Sequence, residues 1–197
     1  QEFNAWSGDG GNPPEHLPIV AFTRMLAGPI DFTPGIFNIK FNEYKKDNQV
    51  NTTLAHQLAL YVVIYSPVQM AADLIEHYEA NPKPLQFIKD VGVDWSETKV
   101  LDGVVGDFVT IARKERKTGN WFLGSITDEN SREIEVEFNF LDENKTYEAK
   151  IYKDGKSAHY NDNPLDIEFE TIEIQKNSKL KFKLSEGGGL AISIKKK

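Results

Sequence analysis

The chain has 197 residues, 40% of them hydrophobic and 27% charged, an ordinary globular composition that excludes disorder and collagen. Its 30 acidic and 23 basic residues give a formal charge of -7, the wrong sign for gripping nucleic acid, and the absence of Cys leaves only oxygen or imidazole to bind a metal. The longest apolar run, around Leu58 to Tyr65, falls far short of the roughly 20 residues that span a bilayer.

Gln1, Glu2 and Phe3 are neither an initiator Met nor the start of a signal peptide, so the chain reads as a piece of a longer protein. Gly and Pro cluster at Gly8, Gly10, Gly11, Pro13 and Pro14, then at Gly28-Pro29 and Pro34-Gly35, which marks loops between short elements. Thr52 and Thr53 read as caps of a helix running through Leu54, Leu58, Tyr61 and Val62 to Tyr65. It is apolar on almost every side, which predicts packing on two faces, as in an α/β layer covered by a further domain. Ser66 and Pro67 predict the cap and first turn of a second helix through Met70, Leu74 and Tyr78, and Pro84 to Lys89 a third.

From about Val93 the hydrophobic period changes to two. Ile134, Val136, Phe138 and Phe140 alternate with Glu133, Glu135, Glu137 and Asn139, the pattern of a half-buried strand. Tyr147, Ala149 and Ile151 repeat it, as do Leu180, Phe182 and Leu184, and then Leu190, Ile192 and Ile194. Turn signals stand at Asp154-Gly155, at Asn161 to Pro164 and at Gly187 to Gly189. Strands about 10 residues apart with no helix between them predict an antiparallel β-sandwich. Residues 1–92 hold 10 acidic and 6 basic side chains and residues 93–197 hold 20 and 17, which supports a boundary near residue 92.

Glu2 ends an apparent strand, and Glu15 sits in the Gly/Pro-rich loop just beyond it. In a parallel α/β barrel, catalytic groups gather at strand ends and in the loops that follow. Two carboxylates there suit glycoside hydrolysis, one protonated to assist the leaving oxygen and one ionised to activate water or attack the sugar. They equally suit a hard cation such as Ca²⁺. The simpler reading of either glutamate is a solvated surface charge.

Four stretches go further: QEFNAW at residues 1–6, GNPPEH at 11–16, FTRMLAGPIDFTPG at 22–35 and HQLALYVVIYSPVQMAADL at 56–74 resemble glycoside hydrolase family 97. The likeness continues more loosely through Ile111-Ala112-Arg113 and NWFLGSIT at 120–127. That family contains bacterial α-glucosidases and α-galactosidases. The resemblance implies an N-terminal sandwich, a catalytic (β/α)8 barrel and a C-terminal sandwich. The fold class expected here is accordingly α/β plus all-β: residues 1–92 as the last strands and helices of the barrel and residues 93–197 as the C-terminal sandwich.

By the same resemblance Glu2 binds Ca²⁺ and helps to orient or deprotonate water. Glu15 is the general acid, with a metal-ligand role as its alternative and Asp9 as a further ligand. Read from their own chemistry, His16 is a candidate to hold a sugar hydroxyl or to fix the Glu15 carboxylate, with a structural hydrogen bond as its alternative, and Trp6 is a candidate ring platform for a sugar face, with packing as its alternative. The substrate is an α-linked oligosaccharide, the location periplasmic, and the partners of the chain are the missing N-terminal sandwich and barrel portion. The choice between an inverting base and a retaining nucleophile rests on carboxylates upstream of Gln1. The chain alone is expected to be inactive and to self-associate through apolar surface that includes faces of the helix from Leu54 to Tyr65.

Other candidates have simpler explanations. His56 reads as a core histidine, and neither His77 nor His159 has a partner at metal-ligand spacing. Arg24 and Asp31 suggest a buried ion pair. Trp95, Trp121 and Phe122 read as core or as a sugar-binding surface, with the adjacent Trp121 and Phe122 on opposite sides of a strand. Gly187 to Gly189 reads as a turn, since neither a helix nor a Lys-Ser/Thr pair follows it.

Overall fold

The structure is a computed structural model that describes residues 10–42 and 45–197. Its C-terminal half is built from β1 (Trp95–Val104), β2 (Phe108–Glu115), β3 (Trp121–Thr127), β4 (Arg132–Glu137), β5 (Thr146–Asp154), β6 (Ile167–Gln175), β7 (Lys179–Leu184) and β8 (Gly189–Lys196). They form a six-stranded sheet in the order β1-β2-β3-β8-β5-β6 and a two-stranded sheet β4-β7, with every pairing antiparallel. Ile134, Val136 and Phe182 point from the small sheet onto the large one and meet Leu123, Ala149, Ile151 and Ile192 in one apolar cluster. Alternation is clean in β4 and β7 because their other face, with Glu133, Glu135, Lys181 and Lys183, stays in water.

β3 is buried at every position and β8 at its first six, because the outer face of the large sheet is covered as well. The cover comes from the first half of the chain, which holds α1 (His16–Phe22), a short 3-10 helix (Arg24–Ala27), α2 (Leu54–Val63), α3 (Ile75–Ala80) and α4 (Pro82–Asp90). All ten residues of α2 are buried, and a second apolar cluster joins Leu58, Val62 and Phe87 to Phe122, Ile126 and Ala191 of the sheet. The helix lies so close that a Cβ on Gly124 would stand 2.6 Å from the carbonyl of Ala59, and one on Gly189 would stand 2.5 Å from the Cα of His56. At its far end the Arg113 guanidinium donates through Nε to the carbonyl of Val62 at 2.7 Å and through Nη1 to Thr98 Oγ1 at 2.8 Å. A cation at a helix C-terminus complements the dipole there. Burial lowers the Arg113 pKa to about 10, so it remains charged at neutral pH.

Three expectations change. The faces of the helix from Leu54 onward are not exposed; they are the inner layer of this chain, and the bare apolar side chains include Leu26, Val68, Leu74 and Ile75 in this half and Val100, Val105 and Leu165 in the sandwich. No helix starts at Ser66 and Pro67: residues 66–74 are non-helical, and only Ile75–Ala80 winds up. The groups that a helix would have paired internally are met from outside, Tyr61 donating to the carbonyl of Met70 and the amide of Ala72 to the carbonyl of Pro34. Arg24 and Asp31 are both exposed rather than buried as a pair. Before residue 94 the described residues contain helices, extended segments and one isolated bridge, Lys40 to Gln49, but no strand ladder, so they do not display a barrel. No described helix is long and apolar enough to cross a membrane.

Candidate functional site

Glu15 closes the loop of residues 10–15 and leads into α1. Gly10 and Gly11 take positive φ angles of 89° and 80°, a backbone region that costs glycine little. Pro13 and Pro14 follow, and the amide of His16 donates back to the carbonyl of Pro13 at 3.1 Å. Glu15 stands at the helix N-cap with helical backbone angles, and its carbonyl accepts from Ile19, yet its side chain makes no capping bond. The residue itself is half-buried. His16 beside it is also half-buried. Glu2, Trp6 and Asp9 lie outside the described residues.

The loop is held from the chain just ahead of α2. The Asn51 side-chain amide donates one N–H to the carbonyl of Gly10 at 3.0 Å and the other to that of Asn12 at 2.9 Å. Next to it is a cavity of about 450 Å³ lined by Gly10, Asn42, Gln49, Asn51, Asn161 and Asp162 among others. Side-chain amides, which donate and accept, and carboxylates, which accept, together match the hydroxyls of a sugar. Asn161 and Asp162 belong to the β5–β6 connection, so sandwich and helical segment build this wall together.

The start of α2 is itself fastened to the sandwich. Thr53 caps the helix by accepting from the amide of His56, and its hydroxyl donates to Asp154 Oδ1 at 2.7 Å. The amides of Thr53 and Leu54 donate to the carbonyls of Gly187 and Pro164. Asp154 Oδ2 accepts from the amides of Ser185 and Gly189, both at 2.9 Å. Burial pushes the Asp154 carboxyl up to about 6 against the pull of those three donors. His56 is a core histidine as expected. Its Nδ1 lies 3.1 Å from the carbonyl of Gly187, which fixes the proton on that nitrogen, while Nε2 is buried without a hydrogen-bond partner. Burial lowers its pKa to about 4, so the ring is neutral.

The remaining candidates are structural. His77 Nδ1 lies 2.5 Å from Asp73 Oδ1, and the other oxygen of Asp73 accepts from the amides of Phe37 and Asn38. His159 stacks on Tyr160 and accepts from the amide of Asn161. Trp121 faces the small sheet and Phe122 faces the helices, so both rings of this adjacent pair are buried, as is Trp95. Among the described residues no three His, Asp or Glu side chains converge to hold a metal ion. Glu15 has the right donor for Ca²⁺, but one carboxylate is far short of the roughly 6 to 8 oxygens the ion takes.

Residues 94–195 match the family model described as "Glycosyl-hydrolase 97 C-terminal, oligomerisation". This chain belongs to glycoside hydrolase family 97. A curated relative from Bacteroides thetaiotaomicron named retaining alpha-galactosidase is 37% identical over 194 residues, which is 96% of this chain and 28% of the relative. A family 97 enzyme from Pseudoalteromonas sp., solved with panose and with acarbose, is 54% identical with a TM-score of 0.94 over 98% of this chain and 30% of its own. A β-arabinopyranosidase with a TM-score of 0.75 is 23% identical and shares the fold. The chain therefore spans less than a third of the family 97 proteins it matches, and the family model ends its match inside the sandwich, two residues before Lys197.

Asn51, Gln49, Asn161 and Asp162 line this candidate site without being announced by the sequence. Asn51 reads as one more polar residue ahead of a capped helix, and its partners lie 41 and 39 positions away.

Proposed function

We propose that a longer enzyme carrying this chain hydrolyses α-glucosidic bonds of oligosaccharides, with Glu15 as general acid and Glu2 as a second carboxylate of the site. The observation that carries this reading is the 54% identity, over 98% of the chain, to a family 97 enzyme solved with panose. Residues 1–92 then form the end of the catalytic barrel and residues 93–197 the sandwich that braces it. In such a site Glu15 delivers a proton to the departing glycosidic oxygen, while a carboxylate across the sugar activates water or attacks the anomeric carbon. His16 holds a sugar hydroxyl and Trp6 offers an apolar ring to a sugar face. Glu2 and Glu15 would hold Ca²⁺ together with carboxylates from the rest of the enzyme, and the bound ion would fix sugar hydroxyls or water by charge. We place the enzyme in the periplasm on the family resemblance. The chain of 197 residues alone lacks the partner carboxylates and is inactive in this reading.

A second reading, a retaining α-galactosidase, is supported by the relative of that name at 37% identity. One experiment separates them: assay the full-length enzyme on matched α-glucosides and α-galactosides, with Glu15→Gln in parallel. The expected outcome is preference for the glucoside and a loss of roughly 10²- to 10⁴-fold on unactivated substrates, the range typical of a missing general acid. Substrates with activated leaving groups should suffer least. A galactoside preference overturns the first reading of specificity, and an unchanged Glu15→Gln rate overturns the role of Glu15.

A further inference from the structure

The Glu15 loop is tied to the chain ahead of α2 through one side chain, Asn51. Both N–H groups of the Asn51 amide are used on it, one on Gly10 and one on Asn12, at 3.0 and 2.9 Å. Those two carbonyls lie within and just after the left-handed pair Gly10 and Gly11, a stretch with little intrinsic stiffness. Beyond Asn12 the chain is stiff: Pro13 and Pro14 fix their φ angles and run straight into Glu15. A displacement at the anchor therefore reaches the Glu15 backbone with little slack in between. On its other side Glu15 continues into α1, whose Leu17 and Val20 are buried in the cluster shared with the sheet.

Asn51 is in turn positioned by the sandwich. Two residues on, Thr53 is fastened by Asp154 and by the carbonyl of Gly187. Two residues earlier, Gln49 Nε2 donates to the carbonyl of Tyr160 at 3.1 Å. The residues on either side of Asn51 are thus gripped by three sandwich loops or strand ends, at residues 154, 160 and 187. The geometry points to Asn51 as a positioning residue: it transmits the placement of the sandwich to the Gly10–Asn12 anchor and so sets where the Glu15 carboxyl stands. This gives the sandwich a part in the reaction without any sandwich residue touching the bond that breaks. It rests on the reading of Glu15 as general acid, and the test separates the two.

The test uses the full-length enzyme with Asn51→Ala, Asn51→Asp and Glu15→Gln. Asn51→Asp keeps the size of the side chain but sets a carboxylate against two carbonyls, so it should be at least as damaging as Asn51→Ala. Because about 1 Å of misplacement can cost about 10²-fold, kcat on an unactivated α-glucoside should fall by roughly 10- to 100-fold in both Asn51 variants. KM should stay within about 2-fold, and a dinitrophenyl glycoside, which needs little protonation, should be spared. Hydrogen exchange at the amides of Gly11, Asn12, Glu15 and His16 should rise in the Asn51 variants and stay at the wild-type level in Glu15→Gln. Equal losses on both substrates accompanied by a lower Tm would mean a merely structural role and overturn the proposal. So would unchanged exchange at those amides. If Glu15→Gln lacks the leaving-group dependence while the Asn51 variants still loosen the loop, the general-acid reading fails and the anchor stands.

Discussion

Residues 54–63 and residues 66–74 are neighbours in the chain and both carry several apolar side chains, yet they end in opposite environments. The first stretch is α2, with every residue buried between the large sheet and the segment wrapped over it. The second is non-helical and leaves Val68 at 71% and Leu74 at 50% exposure, with Ile75 just beyond at 72%. Beside them a cavity of about 450 Å³ is lined by Phe41, Ala71, Ala72, Leu74 and His77 among others. The sandwich supplies everything α2 needs, down to a glycine beneath it and an arginine at its end. Nothing among the described residues does the same for residues 66–75. One region is an interior completed within this chain, and the other leaves several apolar side chains at the surface.

The completed interior should be the most sensitive to change. Gly124 in β3 faces α2, where a Cβ would meet the carbonyl of Ala59 at 2.6 Å and Val62 Cβ at 2.9 Å. Neither is the free end of a flexible side chain, so Gly124→Val must lift the helix or bend the strand. Overpacking of this kind costs about 3 kcal/mol or more. In a chain of this size that lowers Tm by roughly 10 °C. A thermal melt with unchanged Tm would show that α2 is not seated on the sheet as described.

A second test reads the junction through pH. Asp154 and His56 grip the same turn from different elements, and burial moves their pKa values in opposite directions, to about 6 and about 4. The folded Asp154 carboxyl holds its proton up to about pH 6 and the unfolded one only to about pH 4, so its contribution to stability falls as pH rises through that window. Folded His56 stays neutral down to about pH 4 while the unfolded ring protonates below about 6.5, so its contribution rises with pH over nearly the same window. Each effect is on the order of 3 kcal/mol, and together they cancel. Denaturant unfolding between pH 4 and 7 should therefore be nearly flat for these groups in the wild type, rise with pH in Asp154→Asn, and fall with pH in His56→Gln. Parallel curves for all three proteins would refute the assignment.

These differences show what the sequence could and could not disclose. Alternation along Ile134 to Phe138 and Leu180 to Leu184 is legible because those strands have one wet face. Edge strands β1 and β6 are nearly unreadable: β1 exposes Glu97, Lys99, Val100 and Asp102 on both faces, so no period of two survives. The stretch after Ser66 has a helix-start signature, but Tyr61 and Pro34 take its backbone groups first, and such tertiary pairings cannot be read from local pattern. The Glu15 loop is visible in its glycines and prolines. Its anchor is not, because an Asn ahead of two threonines looks like capping, and what distinguishes Asn51 is a contact made across some forty residues.

The smallest expected effect belongs to the bare surface, and its size should depend on how much chain is present. Relatives at 37% and 54% identity are more than three times the length that this chain covers. The face of Val68, Leu74 and Ile75 is expected to be covered by that additional portion in a full-length enzyme. In the isolated chain Ile75→Ser removes nothing that is buried, so stability should change by no more than about 0.5 kcal/mol. Any tendency of the isolated chain to associate should weaken, since an apolar patch is being interrupted. In the full-length enzyme the same substitution strips a covered aliphatic side chain and should cost about 1.5 to 3 kcal/mol. The comparison requires only two proteins, each with and without the substitution, followed by thermal melting and sedimentation. Equal and negligible costs in both would mean that the face stays bare in the whole enzyme. Equal and large costs would mean that Ile75 is already packed within this chain, which its 72% exposure contradicts.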